Sequence, residues 1–395
     1  MMILKSGDSR RGAIAPMTAL FSVFLLAMVA FAVDTSWMVL SQSELQNAAD
    51  ASALAGAQKL MNNYVLYTLG SQSAATKATL LSDAIASAQT TAKAYAASNG
   101  AGGNKSLTLL DSDLSVGYTD SAGNYTAYTT GGKYPNTVKV KIRRDSSANS
   151  SLNLFFAPVL GMKSLDLAAP ATATIYTGVV NSYKPPTDGQ IMMLPMTLDV
   201  NDWKNFLKTG QALDGSVMKD ANGNPQLQIY PSVKDEGNFG ELSLNDSHVG
   251  ASTTNSWITN GMGASDVNDL LNANLLPLTA HDATLWDWQG NPGFKSSNVQ
   301  NVNDDVGTIT WLPLFTPKST APDYQAGVGQ GSNYNYNIVA FVPVQVMQPD
   351  SFNRQIVVQP APMADRFAVF DQASIVPAGE SSSAFATVLP PRLTN

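Results

Sequence analysis

Between Gly12 and Val33 no charged side chain interrupts a run of Ala, Leu, Phe, Val and Met, and Asp34 closes it. As a helix the 21 residues 13–33 rise roughly 32 Å, against a hydrocarbon core of about 30 Å. The pattern predicts one membrane-crossing helix, with Ile14, Leu20, Phe21, Phe24, Leu25, Leu26 and Phe31 in the apolar zone and Trp37 at headgroup depth. Pro16 lies in the first turn, where a missing N–H costs little. Lys5, Arg10 and Arg11 precede the run and no Lys or Arg follows it until Lys59, which predicts a cytoplasmic N-terminus and an extracytoplasmic body. Ala30-Phe31-Ala32 also has the small-x-small form of a signal-peptide cleavage site, so removal of the run is an alternative. Beyond Asp34 nothing breaks the helix. Residues 41–57 read SQSELQNAADASALAGA, without Pro or a turn dipeptide, so a single rod is predicted to about Leu69. Its small residues Ala48, Ala49, Ala51, Ala53, Ala55, Gly56 and Ala57, with Asp50 and Leu54 among them, would let another helix approach closely; a solvated stalk is the other reading.

A second helix is predicted over 73–97, where Leu81, Ile85, Ala88, Ala92 and Tyr95 recur at spacings of three and four, and Asn99-Gly100 ends it. Alternation follows. Residues 114–119 and 125–130 flank Asp120-Ser121-Ala122-Gly123-Asn124, a hairpin loop in composition. In 137–143, Val138, Val140 and Ile142 share one face and Lys139, Lys141 and Arg143 the other, which predicts a half-buried strand with lysines that discourage edge pairing. Pro185-Pro186-Thr187-Asp188-Gly189 predicts a stiff linker with a turn. From Ile191 onward, short β-prone segments (226–230, 241–244, 308–314, 338–346, 355–358) are separated by Gly, Asn, Asp and Pro, with helices expected at 201–208, 256–260 and 265–274.

The charged fraction is 13%, about half the roughly 25% usual for soluble globular chains. A net charge of −7 without clustered Lys or Arg argues against nucleic acid as a partner. The absence of cysteine excludes disulfides, thiolate metal sites and Cys nucleophiles. The two histidines, His248 and His281, stand in no zinc-protease or nucleophile-elbow pattern. Asp304-Asp305 and Asp235-Glu236 read as solvated loop charge. Asp220-Ala221-Asn222-Gly223-Asn224 begins like a calcium loop but meets Pro225 and Pro231 where Gly and Glu are needed, so it reads as a turn. No cofactor, metal or catalytic group is expected. Trp286 and Trp288, two apart, would face the same way on a strand and form a platform for a sugar ring; core packing is the commoner fate of such a pair.

Arg10-Arg11-Gly12-Ala13, the apolar run, Val33-Asp34, and Leu45-Gln46-Asn47 followed by Ala48-Ala49-Asp50-Ala51-Ser52-Ala53-Leu54-Ala55-Gly56-Ala57 resemble the N-terminal module of TadE/TadG-like proteins of the Tad (Flp pilus) assembly system. Residues 152–161 (LNLFFAPVLG) and 165–177 are similar to the short apolar helix and closing strand of that pattern, and 237–261 resembles its continuation more weakly. The resemblance implies a bitopic inner-membrane protein, partnered by the bilayer and by other pilus-assembly or pilin-like proteins. Pseudopilin-type members are processed after the Gly, which here would be Gly12–Ala13, and carry Glu five positions on, where this chain has Met17. The expected fold is α+β: a cytoplasmic leader (1–12), a membrane helix (13–33), a long helix on a small sheet (34–180), a linker (181–190) and a β-rich domain (191–395). A surface-anchored adhesin or glycan-binding protein is the alternative function.

Overall fold

The protein is described by a computed structural model covering residues 14–212, 215–231, 240–247, 249–278, 287–290, 296–320, 323, 325–329, 334–350 and 354–394. Past Pro16 no proline occurs before Pro135, and Gly56 is the one glycine between Pro16 and Leu69, so α1 runs unbroken through Ile14–Thr68, 55 residues. It ends where the Gly70 N–H donates to Leu207 O at 2.8 Å. Helix α2 (Ala74–Ala97) starts on the Ser73 cap, whose Oγ accepts from the Thr76 N–H at 3.1 Å. Its buried stripe is Leu81, Ala84, Ala88, Ala92 and Ala96. That corrects the sequence expectation: Tyr95 is exposed and Ile85 half-buried, because packing against α1 favours the alanine row one step away. The helix ends on Ser98 and Asn99, whose side chains donate to Ala94 O and Tyr95 O.

The two helices lie on an antiparallel sheet. Its strands are β1 (Leu114–Thr119), β2 (Tyr125–Ala127) and β3 (Thr137–Arg144), then, after a hairpin of β4 (Leu152–Asn153) and β5 (Ser164–Leu165), β6 (Leu167–Gly178). Val138, Val140 and Ile142 of β3 face the core as expected. The strand is nevertheless interior, paired to β1 and β6, so its basic residues guard no edge. Lys139 lies over the Tyr125 ring and Arg143 forms a bidentate pair with Asp113 instead. Residues 152–161 form no helix beyond a single 3₁₀ turn, Ala157–Leu160.

The chain passes to a second sheet at Val179, ahead of the Pro-rich segment, because β7 (Val180–Tyr183) already pairs there. That sheet also holds β8 (Leu198–Asp199), β9 (Met218–Lys219), β10 (Pro225–Tyr230), β11 (Trp288–Gln289), β12 (Ile309–Thr316), β13 (Asn335–Met347), β14 (Ile356–Pro360) and β15 (Ala368–Phe370). Helices α3 (Val200–Thr209), α4 (Ala251–Asn260), α5 (Ala264–Asn272) and α6 (Ser296–Asp304) accompany it. Strands β12 and β13 are buried on both faces: Trp311 and Phe341 join one apolar cluster, Leu312 and Val342 the other. Residues 241–244 make isolated bridges rather than a strand, and α6 was not expected. The last strands, β16 (Val376–Pro377) and β17 (Thr387–Leu393), return to the first sheet and pair with β6. Ala378 and Val388 thereby join the core of Leu45, Ala53 and Val138, so the first domain is closed by residues that the sequence reading placed in the β-rich second one.

Candidate membrane-proximal site

Among the described residues, none packs over the first third of α1. Leu20, Phe21, Phe24, Leu25, Leu26 and Phe31 are each between 46% and 75% exposed, and each would gain roughly 1.5–3 kcal/mol on leaving water. Residues 15–33 make a stretch long and apolar enough to cross a bilayer. Gly12 and Ala13, the expected processing point, lie outside the described residues, as does the side chain of Ile14.

Burial begins abruptly at Asp34. Its Oδ1 accepts from the Phe155 N–H at 2.8 Å and its Oδ2 from the Phe156 and Ala157 N–H groups at 3.0 and 2.6 Å. These are donors at the start of the Ala157–Leu160 turn, which has no side-chain cap of its own. Burial pushes the Asp34 carboxyl up, yet the three donors outweigh it and hold its pKa below the usual carboxylate value. One turn on, the Trp37 Nε1–H donates to Asn153 O at 3.2 Å and the indole packs on Phe155, centroids 5.7 Å apart. Asp34 and Trp37 thus clamp the β4–β5 hairpin to the foot of the rod. The apolar run in the sequence marks the candidate span; nothing in one sequence pairs Asp34 with a segment 121 positions away.

Above this foot the small-residue face is filled by the chain itself. Ala48, Ala49, Ala53, Ala55 and Ala57 are buried, Gly56 with them, while Asp50, Ala51 and Leu54 are half-buried. A Cβ on Gly56 would stand 3.1 Å from Ala88 O, 3.2 Å from Ala92 Cβ and 3.3 Å from Val138 Cγ1, so the helix admitted closely is α2. Gln42 and Gln46 donate to Ala168 O and Pro170 O of β6, and Gln46 also to Asp50. Among the described residues, these contacts leave the apolar foot as the open part of α1's expected packing and anchoring surfaces.

The distal domain offers less chemistry. Trp203, Trp257, Trp288 and Trp311 are buried; Trp288 lies in the core, 6.2 Å from Phe341 in a T-shaped contact, which leaves it no free face for a sugar. Trp286, His248, His281, Asp235 and Glu236 lie outside the described residues. No group of three or more potential metal ligands occurs among the described residues. Asp220 closes a hairpin turn by accepting from the Asn222 and Asn224 N–H groups, both at 2.8 Å. A cleft of about 220 Å³ between rod, first sheet and distal domain is smaller than ordinary ligand sites of about 300–1,000 Å³.

A bare apolar helix end that continues as the spine of an α+β body fits single-pass membrane anchoring in length and composition. The family comparisons agree with that plan: the Flp pilus-assembly TadE/G-like model matches residues 12–59, and the Tad-like Flp pilus-assembly model matches residues 55–173. Over residues 12–173, the rod and most of the first sheet, the chain is similar to Tad/Flp pilus-assembly families. No curated protein and no solved structure matches the chain. Both matched families are described as assembly components of a pilus, and the distal domain lies beyond either match.

Proposed function

We propose that this chain is a non-enzymatic, bitopic envelope protein, with residues 1–12 cytoplasmic and the body outside, that serves as an accessory or pseudopilin-like component of a Tad/Flp-type pilus or secretion apparatus. The observation that carries this reading is the continuity of α1: one rod supplies the bare span and the spine of the matched body. A force or displacement applied to the span is transmitted to the folded domains without a hinge. Apolar helices move between lipid and a helical bundle at little cost, because both surroundings satisfy the same surface. A strain without the gene is expected to lose Flp-type pili, and to regain them with the parent chain but not with a Phe24→Asp/Leu25→Asp chain. Normal pili in the deletion strain overturn the assembly role, and normal pili with lost attachment favour the adhesin alternative. The mature N-terminus, read by mass spectrometry, distinguishes an intact anchor from cuts after Gly12 or Ala32.

A further inference from the structure

The β4–β5 hairpin carries a tip whose composition fits neither a loop nor a core. From Leu154 to Met162 no residue is charged, and Phe155, Phe156, Val159, Leu160 and Met162 are all exposed, Val159 and Leu160 at 89%. Soluble surfaces seldom gather so many large apolar side chains in one place. The tip is not loose: the Asp34 carboxylate holds three successive backbone N–H groups, and Gly161 in the left-handed region (φ +88°) turns the chain back. Asp34 is the first residue after the apolar run. The bare tip and the bare span therefore meet at one level of the rod.

We infer that residues 155–162 are a second membrane-inserting element, a wedge that enters the headgroup–acyl boundary of the leaflet from which α1 emerges. The occupant is lipid because the patch sits at the foot of the apolar span that the proposed function places in a bilayer, fixed there by Asp34. The flanks fit that depth: Trp37 packs beside Phe155, and exposed Lys163 follows Met162 with an ammonium that reaches toward headgroups. Interfacial elements of this kind bury about 5–10 Å into the boundary, close to the height of one helical turn. The inference rests on the bilayer reading of 14–33. With two points of attachment the rod does not pivot at Asp34, so the body stands at a fixed tilt, and drawing α1 out of lipid also withdraws the wedge.

The chain has no cysteine, so single substitutions label cleanly. Val159→Cys, Val217→Cys in the distal domain and Phe24→Cys in the span are each labelled with an environment-sensitive fluorophore. Each full chain is reconstituted in phosphatidylethanolamine/phosphatidylglycerol vesicles. The Val159 label is expected to be blue-shifted, quenched by lipids spin-labelled near the headgroup and protected from aqueous iodide, whereas the Val217 label shows the reverse. Adding Leu160→Asp is expected to return the Val159 label to water and leave the Phe24 label unchanged. A Val159 label as open to iodide as the Val217 label overturns the wedge; if the Phe24 label still reports lipid, the anchor reading survives that failure. A Val159 label shielded from both quenchers and cross-linking to a second copy also overturns it, in favour of a protein partner. If the Val159 label reports lipid while the Phe24 label does not, the spanning reading fails and the wedge, as a second attachment beside α1, is overturned with it.

Discussion

At the scale of single residues, the clearest dependence is on Gly56. Neighbouring atoms stand 3.1–3.3 Å from where a Cβ would sit, so Gly56→Ala forces small shifts and Gly56→Val overpacks the contact of α1, α2 and β3. Gly56→Val is expected to destabilise the body by about 1–3 kcal/mol, read as a lowered unfolding midpoint in detergent solution, with Gly56→Ala falling between it and the parent. A second dependence is the clasp of Tyr118, Lys133 and Glu380, in which the phenol and the ammonium both donate to one carboxylate. Burial, then the hydrogen bond to Glu380, pushes Tyr118 up to about 12, and its two donors hold Glu380 below its ordinary value. Tyr118 therefore adds stability that is complete below about pH 10, the unfolded value, and lost as pH rises through about 12. Glu380 adds stability that is present above its ordinary value and lost as pH falls through its lowered one. A phenolate absorbance titration is expected to lose a component near 12 in Tyr118→Phe; an unchanged high-pH titration in that variant excludes Tyr118 as its source.

At the scale of elements, Asp34 joins the rod to the hairpin. Asp34→Ala is expected to leave α1 and the sheet intact while amide exchange at Phe155, Phe156 and Ala157 rises at neutral pH, and equal protection in both chains would show that the turn holds itself. Much at this scale was legible in the sequence. Helices α1 and α2, the three strands up to Arg144 and four of the nine strands of the distal sheet (β10, β12, β13 and β14) follow from local periodicity and turn residues. Asp120-x-x-Gly-Asn124 and Asp220-x-x-Gly-Asn224 build the same turn, each aspartate accepting from two backbone N–H groups and each glycine at positive φ. What failed to read was whatever depends on position in space. Alternation in β3 looks the same on an edge or in a sheet's middle, and an apolar run such as 154–162 looks the same buried or bare. Helix α6, with Val299 and Val302 as its buried apolar residues beside buried Asn298 and Asn303 in a polar sequence, gives too weak a stripe to stand out.

At the scale of the whole molecule, the rod is a ruler. From Asp34 to Thr68 it rises about 51 Å, so the turn that meets α3 lies far from the apolar foot. The distal domain is fastened there: Gly70 bonds Leu207, Gln72 donates to Asn224 Oδ1 at 3.1 Å, and the Trp203 indole donates to Ala384 O at 3.0 Å. No periodicity in the sequence announced that β16 and β17 would finish the first sheet, because strand pairing across about two hundred positions leaves no local trace. Deleting residues 376–394 is expected to open the first domain to limited proteolysis around β6, although β17 lies far beyond it in sequence, while an unaltered digestion pattern would deny β17 that role. The order in which a ribosome releases the chain then acquires a meaning. The apolar foot is made before the distal body, and the strand that seals the first sheet follows both, so on the proposed reading the molecule is moored before it is shut.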